Sequence, residues 1–203
     1  MFGKKNRYEI KDPAQIRALE SPMRQEIVDA ITAIGPCSIT ELASYLGRAA
    51  DSLYFHVKKL VKVRLVQEVE RRKEGRHESA IYAMPGRSAR IVYSSPMKKS
   101  IRKVVAGALR LSLREFNLGL AEKNPTFSGT HRSLWGGRAK GWLSKDDLAE
   151  VNRLLEQLSQ IMCRSEPGHD RQVYSLGWVF APAQVRPRVK LANKTKVAHK
   201  KGR

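Results

Sequence analysis

The hydrophobic residues of the first third of the chain recur at helical spacing in successive segments. The first predicted helix lies within residues 16–34, and Gly35-Pro36 interrupts the pattern after it. A second helix is predicted after Ser38, a good N-cap, because Glu41 follows at the distance of a capping box. The predicted apolar faces are Ile27, Ala30, Ile31 and Ile34 in the first helix, and Leu42, Tyr45 and Leu46 in the second.

Gly47 permits a tight turn into a third helix, which we predict over residues 49–62. Its apolar stripe is Leu53, Val57 and Leu60 at helical spacing. Two short helices joined by such a turn are typical of the helix-turn-helix, whose second helix enters the major groove of DNA. The residues predicted on the opposite, outward side of the third helix are Arg48, Asp51, Phe55, Lys58 and Lys59.

Two strands are predicted next, over residues 65–69 and 78–83, around a charged tip that contains Gly75. A helix, a helix-turn-helix and then a hairpin follow each other in the order of a winged helix. The hairpin would be the wing. Its tip carries four basic residues within a stretch of six, namely Arg71, Arg72, Lys73 and Arg76.

These segments resemble the ArsR-like winged-helix transcription regulators over roughly the first 90 residues. The resemblance rests on ALESPMRQEIVDAI (residues 18–31), ITELASYLG (39–47) and SLYFHVKKLVKVRLV (52–66), followed by the wing. It implies a sequence-specific DNA-binding regulator, with repression as the family's commoner mode. The metal-sensing cysteine pair of one branch of the family is not present in the recognition region of this sequence.

The candidate DNA-binding residues fall into three groups, and for each the alternative is an ordinary solvated surface. Lys58 and Lys59 on the recognition helix are expected to contact phosphates. The basic residues of the wing are expected to contact the DNA backbone or the minor groove. They are Arg71, Arg72, Lys73 and Arg76. Base edges would meet the N-terminal half of the recognition helix, at Arg48, Asp51, Ser52, Tyr54 and Phe55.

The second half of the chain predicts a small α+β unit. Residues 88–94 read as a strand, and Ser95-Pro96 opens a long helix over residues 96–123. A second amphipathic helix is predicted over 144–162, and a strand over 172–180 that pairs with an extended piece around 134–143. We weigh two interpretations, a dimerisation domain and a pocket for a small-molecule effector. The pocket would be lined by Trp135, Trp142, Tyr174 and Trp178.

The fold class is therefore predicted as α+β and mainly helical, with three parts. Residues 1–86 form a winged helix-turn-helix domain, residues 87–185 a dimerisation and effector region with a small β element, and residues 186–203 a disordered tail. The tail has eight basic residues, no acidic one and few large apolar ones, so it cannot form a core. With a formal net charge of +20, the whole chain is expected to bind a polyanion, namely double-stranded DNA.

Other function classes find little support in the sequence. It contains no nucleophile elbow, phosphate-binding loop or paired acid motif, so we expect no enzyme and no cofactor. We also expect no metal site, since Cys163, His169 and Asp170 are an isolated, weak candidate. Cys37 could sense oxidation or simply be a small, partly buried residue. Two distant cysteines, and no signal peptide or membrane span, predict a cytoplasmic protein. We expect a homodimer, because operator-reading proteins of the kind that the chain resembles are usually symmetric dimers. The rival functions are an RNA- or ribosome-associated binding protein and a protein-interaction adaptor.

Overall fold

The protein has a mixed α+β fold, and most of the helices and all of the strands that the structure describes lie in the first 120 residues. The computed structural model describes residues 7–74, 77–93, 95–164 and 171–184. The strands are β1 (Tyr8–Ile10), β2 (Cys37–Ser38), β3 (Gln67–Glu74), β4 (His77–Ala83) and β5 (Ala89–Ile91). The helices are α1 (Pro13–Ala18), α2 (Pro22–Ile34), α3 (Ile39–Leu46), α4 (Ala50–Lys62), α5 (Lys98–Leu120) and α6 (Lys145–Arg164).

One hydrophobic core joins α1 to α4 with the β2–β4 region. The stripe predicted for α4 is fully buried, with Leu53, Val57 and Leu60 at most 1% exposed. The other large, fully buried side chains of this core include Ile10, Ile16, Ile27, Ile31, Leu42, Leu65 and Ile81. Because its inner stripe is anchored in this core, α4 turns its remaining faces toward solvent.

Two small sheets flank the helices. β2, β4 and β3 form an antiparallel sheet in that order, and the β3–β4 pair is a hairpin with a register irregularity between Glu68 and Glu70. β1 and β5 pair in parallel, Tyr8 opposite Ala89 and Ile10 opposite Ile91. The predicted strands at 65–69, 78–83 and 88–94 are thus present with shifted ends, whereas the sequence did not predict β1.

Local capping defines the turn between α3 and α4. The Ser38 hydroxyl accepts a hydrogen bond from the backbone N–H of Glu41, and the Glu41 carboxylate accepts one from the Ser38 N–H, which confirms the predicted capping box. Gly47 ends α3 with φ 61°, in the left-handed region that glycine adopts without strain. Ala49 then serves as the N-cap of α4 and offers no side-chain hydrogen bond.

The helix expected within residues 16–34 is α2, which begins at Pro22 after Ser21, and the sequence did not predict the short helix α1 before it. Two other local predictions need correction. Tyr45 is 44% exposed rather than part of the apolar face of α3, where Ile39, Leu42 and Ala43 are buried instead. The long helix begins at Lys98 after a 3₁₀ turn over Ser95–Met97, and it ends at Leu120.

α5 packs on the core through its first half only. The buried Gln25 side chain donates hydrogen bonds from Nε2 to the carbonyl oxygens of Leu19 (2.6 Å) and Val104 (3.1 Å), which joins α2 to α5. Val104 is the only residue of α5 in the buried hydrophobic core of the described chain. The Glu156 carboxylate of α6 forms ion pairs with Arg7 and Arg90, which link α6 to the first half of the chain.

The prediction of a strand over residues 172–180, paired with an extended piece around 134–143, is wrong. Described residues 121–144 and 171–184 contain neither helix nor strand. The apolar alternation is present in the sequence, but a strand also needs a hydrogen-bonding partner, and neither segment pairs with a strand of the described residues. Arg76, Pro167-Gly168 and the basic tail lie outside the described residues. None of the helices in the described part of the chain has the length and apolarity needed to cross a bilayer.

Candidate nucleic-acid interface

The outer face of α4 exposes every helix residue that the sequence proposed for base or phosphate contact. Tyr54 is 47% and Phe55 60% exposed, an unusual exposure for aromatic side chains. The other exposed members are Asp51, Ser52, Lys58 and Lys59. Carboxylate, aromatic and ammonium groups therefore share one convex surface about 20 Å long, at 1.5 Å per helical residue.

Lys59 and Phe55 form a pair on this face. The ammonium group of Lys59 lies 4.2 Å from the centre of the Phe55 ring, which is the geometry of a cation–π contact. The two residues are one helical turn apart, so the contact is formed within α4. It holds the lysine charge over the middle of the helix face.

Ser52 and Arg48 are engaged by their own chain. The Ser52 hydroxyl donates a hydrogen bond to the carbonyl oxygen of Ala49 at 2.6 Å, so its proton points back to the backbone. Arg48 forms an ion pair with Glu26 of α2 at 3.0 Å, and Arg114 of α5 binds the other oxygen of the same carboxylate at 2.6 Å. Glu26 thus links the start of α4 to α5.

The β3–β4 hairpin, the predicted wing, stands beside this face and carries arginines that are also paired. Arg71 contacts Glu68 at 3.0 Å, and Arg72 contacts Glu41 at 3.1 Å and Glu70 at 3.8 Å. The hydrogen bond from the Ser38 N–H, with the nearby Arg72, holds the pKa of Glu41 below its ordinary value, so the pair stays ionised. Lys73 is exposed.

The lysines of α4 differ from these arginines. No carboxylate of the described residues lies within 4.0 Å of the ammonium groups of Lys58, Lys59 or Lys62. Lys62 was not among the predicted site residues, although its spacing of four residues from Lys58 places it on the same side of the helix. The three lysines supply uncompensated positive charge along α4.

Two residues behind the face are titratable but turned inward. Burial, with the nearby charges of Arg24 and Lys59, lowers the pKa of His56. Burial also raises the pKa of the Cys37 thiol to about 11, with Glu41 adding to the effect. Cys37 is 3% exposed, which agrees with the interpretation as a small, buried residue, since a buried thiol that holds its proton is a poor nucleophile.

The aromatic effector pocket is not formed within one chain. Trp135, Trp142, Tyr174 and Trp178 are 69%, 78%, 52% and 47% exposed, so they line a surface rather than a cavity. Among the described residues, no group of three or more histidine, cysteine or acidic residues could hold a metal ion. His169 and Asp170, of the weak metal candidate, lie outside those residues.

Comparison with known proteins gives one match for the region that contains this surface. Residues 19–83 are similar to a family described as HVO_A0114, a stretch that runs from the end of α1 through β4. The description names no activity. No curated protein matches the chain.

Proposed function

We propose that this protein is a sequence-specific DNA-binding transcriptional regulator of the ArsR-like winged-helix type, which binds a palindromic operator as a homodimer. In this proposal α3 and α4 are the helix-turn-helix, α4 is the recognition helix and the β3–β4 hairpin is the wing. The observation that carries the proposal is the outer face of α4, where uncompensated lysines surround exposed aromatic and acidic side chains.

The α4 face suits the major groove in both size and chemistry. A helix fits the groove of B-DNA, which is about 12 Å wide. Tyr54 and Phe55 can contact thymine methyl groups, and the Asp51 carboxylate can accept a hydrogen bond from the cytosine amino group. Lys58, Lys59 and Lys62 lie toward the middle and C-terminal end of the helix, where they would meet phosphates on the groove wall.

The paired arginines of the hairpin could exchange their glutamate partners for DNA phosphates. Arg71 and Arg72 are bound to exposed glutamates, and exposed ion pairs of this kind stabilise a protein by at most about 1 kcal/mol. A phosphate can therefore replace Glu68 or Glu70 at little cost. The wing would bind the DNA backbone only when the recognition helix has brought it close.

Removal of two lysines from α4 tests the proposal. We expect Lys58→Ala with Lys59→Ala to weaken binding to all duplexes by similar factors. The slope of log K against log salt concentration should become shallower by about 2 units for each protomer of the bound dimer, or about 4 units in all, since each lost phosphate contact changes it by about 0.9.

The matched control removes the same charge elsewhere, with Lys123→Ala and Lys140→Ala, two exposed lysines outside α4 and the hairpin. That variant should keep the wild-type slope. Equal slopes for the α4 variant and the control would contradict the placement of DNA on α4. Preferential binding of RNA over duplex DNA by the wild type would favour the RNA-associated alternative.

A further inference from the structure

The apolar residues of the second half of the chain have no core of their own. Of the large hydrophobic side chains that the described residues expose, all but Tyr45, Tyr54, Phe55 and Tyr93 lie beyond residue 100. Apolar surface of that extent marks an interaction site, because soluble monomers rarely leave it uncovered. Two parts of it, on α5 and on α6, complement each other.

The first part is a groove along the N-terminal half of α5. Its floor and walls are apolar, and its positive charges lie at the end where α5 begins, at Lys98 and Arg102. The Leu109 side chain at the other end is 42% exposed. The apolar residues that line the groove are Tyr93, Ile101, Val105, Ala106, Leu109 and Val179.

The second part is a stripe on α6 that faces away from its own chain. At 100° per residue, Leu154, Leu158 and Ile161 lie on one side of the helix, and they are 50%, 39% and 50% exposed. Glu156, which pairs with Arg7 and Arg90, lies on the opposite side. One to two turns before Leu154, the same stripe carries the acidic residues Asp147 and Glu150. Glu150 forms an ion pair with Arg153 at 2.6 Å, which is exposed and therefore exchangeable for a cation of a second chain.

We propose that the α5 groove of one chain binds the α6 stripe of a second copy, and that two-fold symmetry repeats the contact. The acidic first turns of α6 would lie over Lys98 and Arg102, and its leucines over Val105 and Leu109. The lengths agree, since the groove spans roughly 17 Å and the stripe roughly 21 Å at 1.5 Å per residue. The contact is self-complementary, as a closed dimer requires.

This inference rests on the homodimer of the proposed function and names the surfaces that form it. A charge exchange tests it. The groove variant carries Lys98→Glu and Arg102→Glu. The stripe variant carries Glu150→Lys and Asp146→Lys, where Asp146 is the exposed acidic neighbour of Asp147 in the first turn of α6. It leaves Asp147 in place because its backbone N–H and carboxylate form the cap with Ser144.

Each variant alone would place like charges at both contacts of its dimer. We expect dimerisation at least tenfold weaker than that of the wild type, measured by sedimentation of the full chain at micromolar concentration. An equimolar mixture should form dimers again, because a heterodimer pairs opposite charges at both contacts. A single chain with all four substitutions should also be dimeric.

Lys123→Glu with Lys140→Glu is the control for the groove variant, since it lowers the net charge by the same amount away from the groove and should leave the dimer intact. Circular dichroism checks that each variant is folded. If a variant with two substitutions does not fold, the dimerisation of the chain with all four substitutions tests the proposal. A monomeric wild type, dimeric single variants or a mixture that stays monomeric would overturn the proposal. A restored dimer that selects no DNA motif would instead reject the DNA-binding function and leave the interface standing.

Discussion

Arg48, Arg71 and Arg72 each contact a glutamate of their own chain, whereas the lysines of α4 do not, so in the proposed function only the lysines would meet phosphates without first breaking an ion pair. The sequence predicted which residues are exposed, because the buried stripe at Leu53 and Val57 fixes the rotation of α4. It could not predict the pairings. Glu26 is 22 residues from Arg48, and Glu41 is 31 residues from Arg72, so the chain fold alone brings them together.

The two cysteines should differ sharply in reactivity. Cys37 is buried with its pKa raised to about 11, so at pH 8 only about one thiol in a thousand is ionised. Cys163 is partly exposed. We expect Ellman's reagent to modify one thiol rapidly in the native protein and the second only in denaturant.

Cys163→Ser should remove the rapid phase, and Cys37→Ser should leave it unchanged. A rapid phase that persists in the Cys163→Ser protein would show that Cys37 is accessible, and it would restore the possibility of a redox role.

At the scale of elements, the sequence was informative where a helix end has its own chemistry. The capping box at Ser38 and the left-handed Gly47 fixed α3, and Ser144 caps α6 in the same way. Prediction failed where a distant partner decides the outcome. β1 is a strand because β5, about 80 residues away in the sequence, pairs with it. Residues 172–180 do not form a strand, because they lie next to no sheet edge of the described residues.

The close contact between α2 and α5 predicts the effect of replacing Gly107 in α5. Glycine to alanine within a helix normally stabilises a protein by up to about 1 kcal/mol. A Cβ at Gly107, however, would lie 2.7 Å from the Gln25 amide nitrogen, which is buried and donates two hydrogen bonds. We expect Gly107→Ala to destabilise the protein by about 1–3 kcal/mol, because a displaced Gln25 would lose those bonds.

Gly119→Ala is the matched control in the same helix. Its Cβ would lie 2.9 Å from a terminal methyl carbon of Leu134, a flexible and half-buried side chain that can shift without losing a hydrogen bond. In urea unfolding, the Gly119→Ala protein should have a midpoint equal to or above that of the wild type. A Gly107→Ala protein as stable as Gly119→Ala would contradict the close contact of Gln25 with α5.

At the scale of the whole molecule, the chain is asymmetric in how it buries its apolar residues. The first half has a complete core, and contacts cross the predicted boundary at residue 86, since β5 pairs with β1 and Val104 joins the core. The second half has amphipathic helices whose apolar sides remain open. Periodicity predicted those helices correctly, but it cannot say whether an apolar face is covered by the same chain or by another one.

Selection of binding sites from a random duplex library is the most direct test of the central claim. A dimer that presents two α4 helices should enrich one inverted repeat, with half-site centres separated by about one turn of DNA, roughly 34 Å. Binding to that motif should exceed binding to random duplex by about 10³-fold or more at physiological salt. Sequences that remain random after selection, with the same affinity for every duplex across the salt titration, would contradict the account.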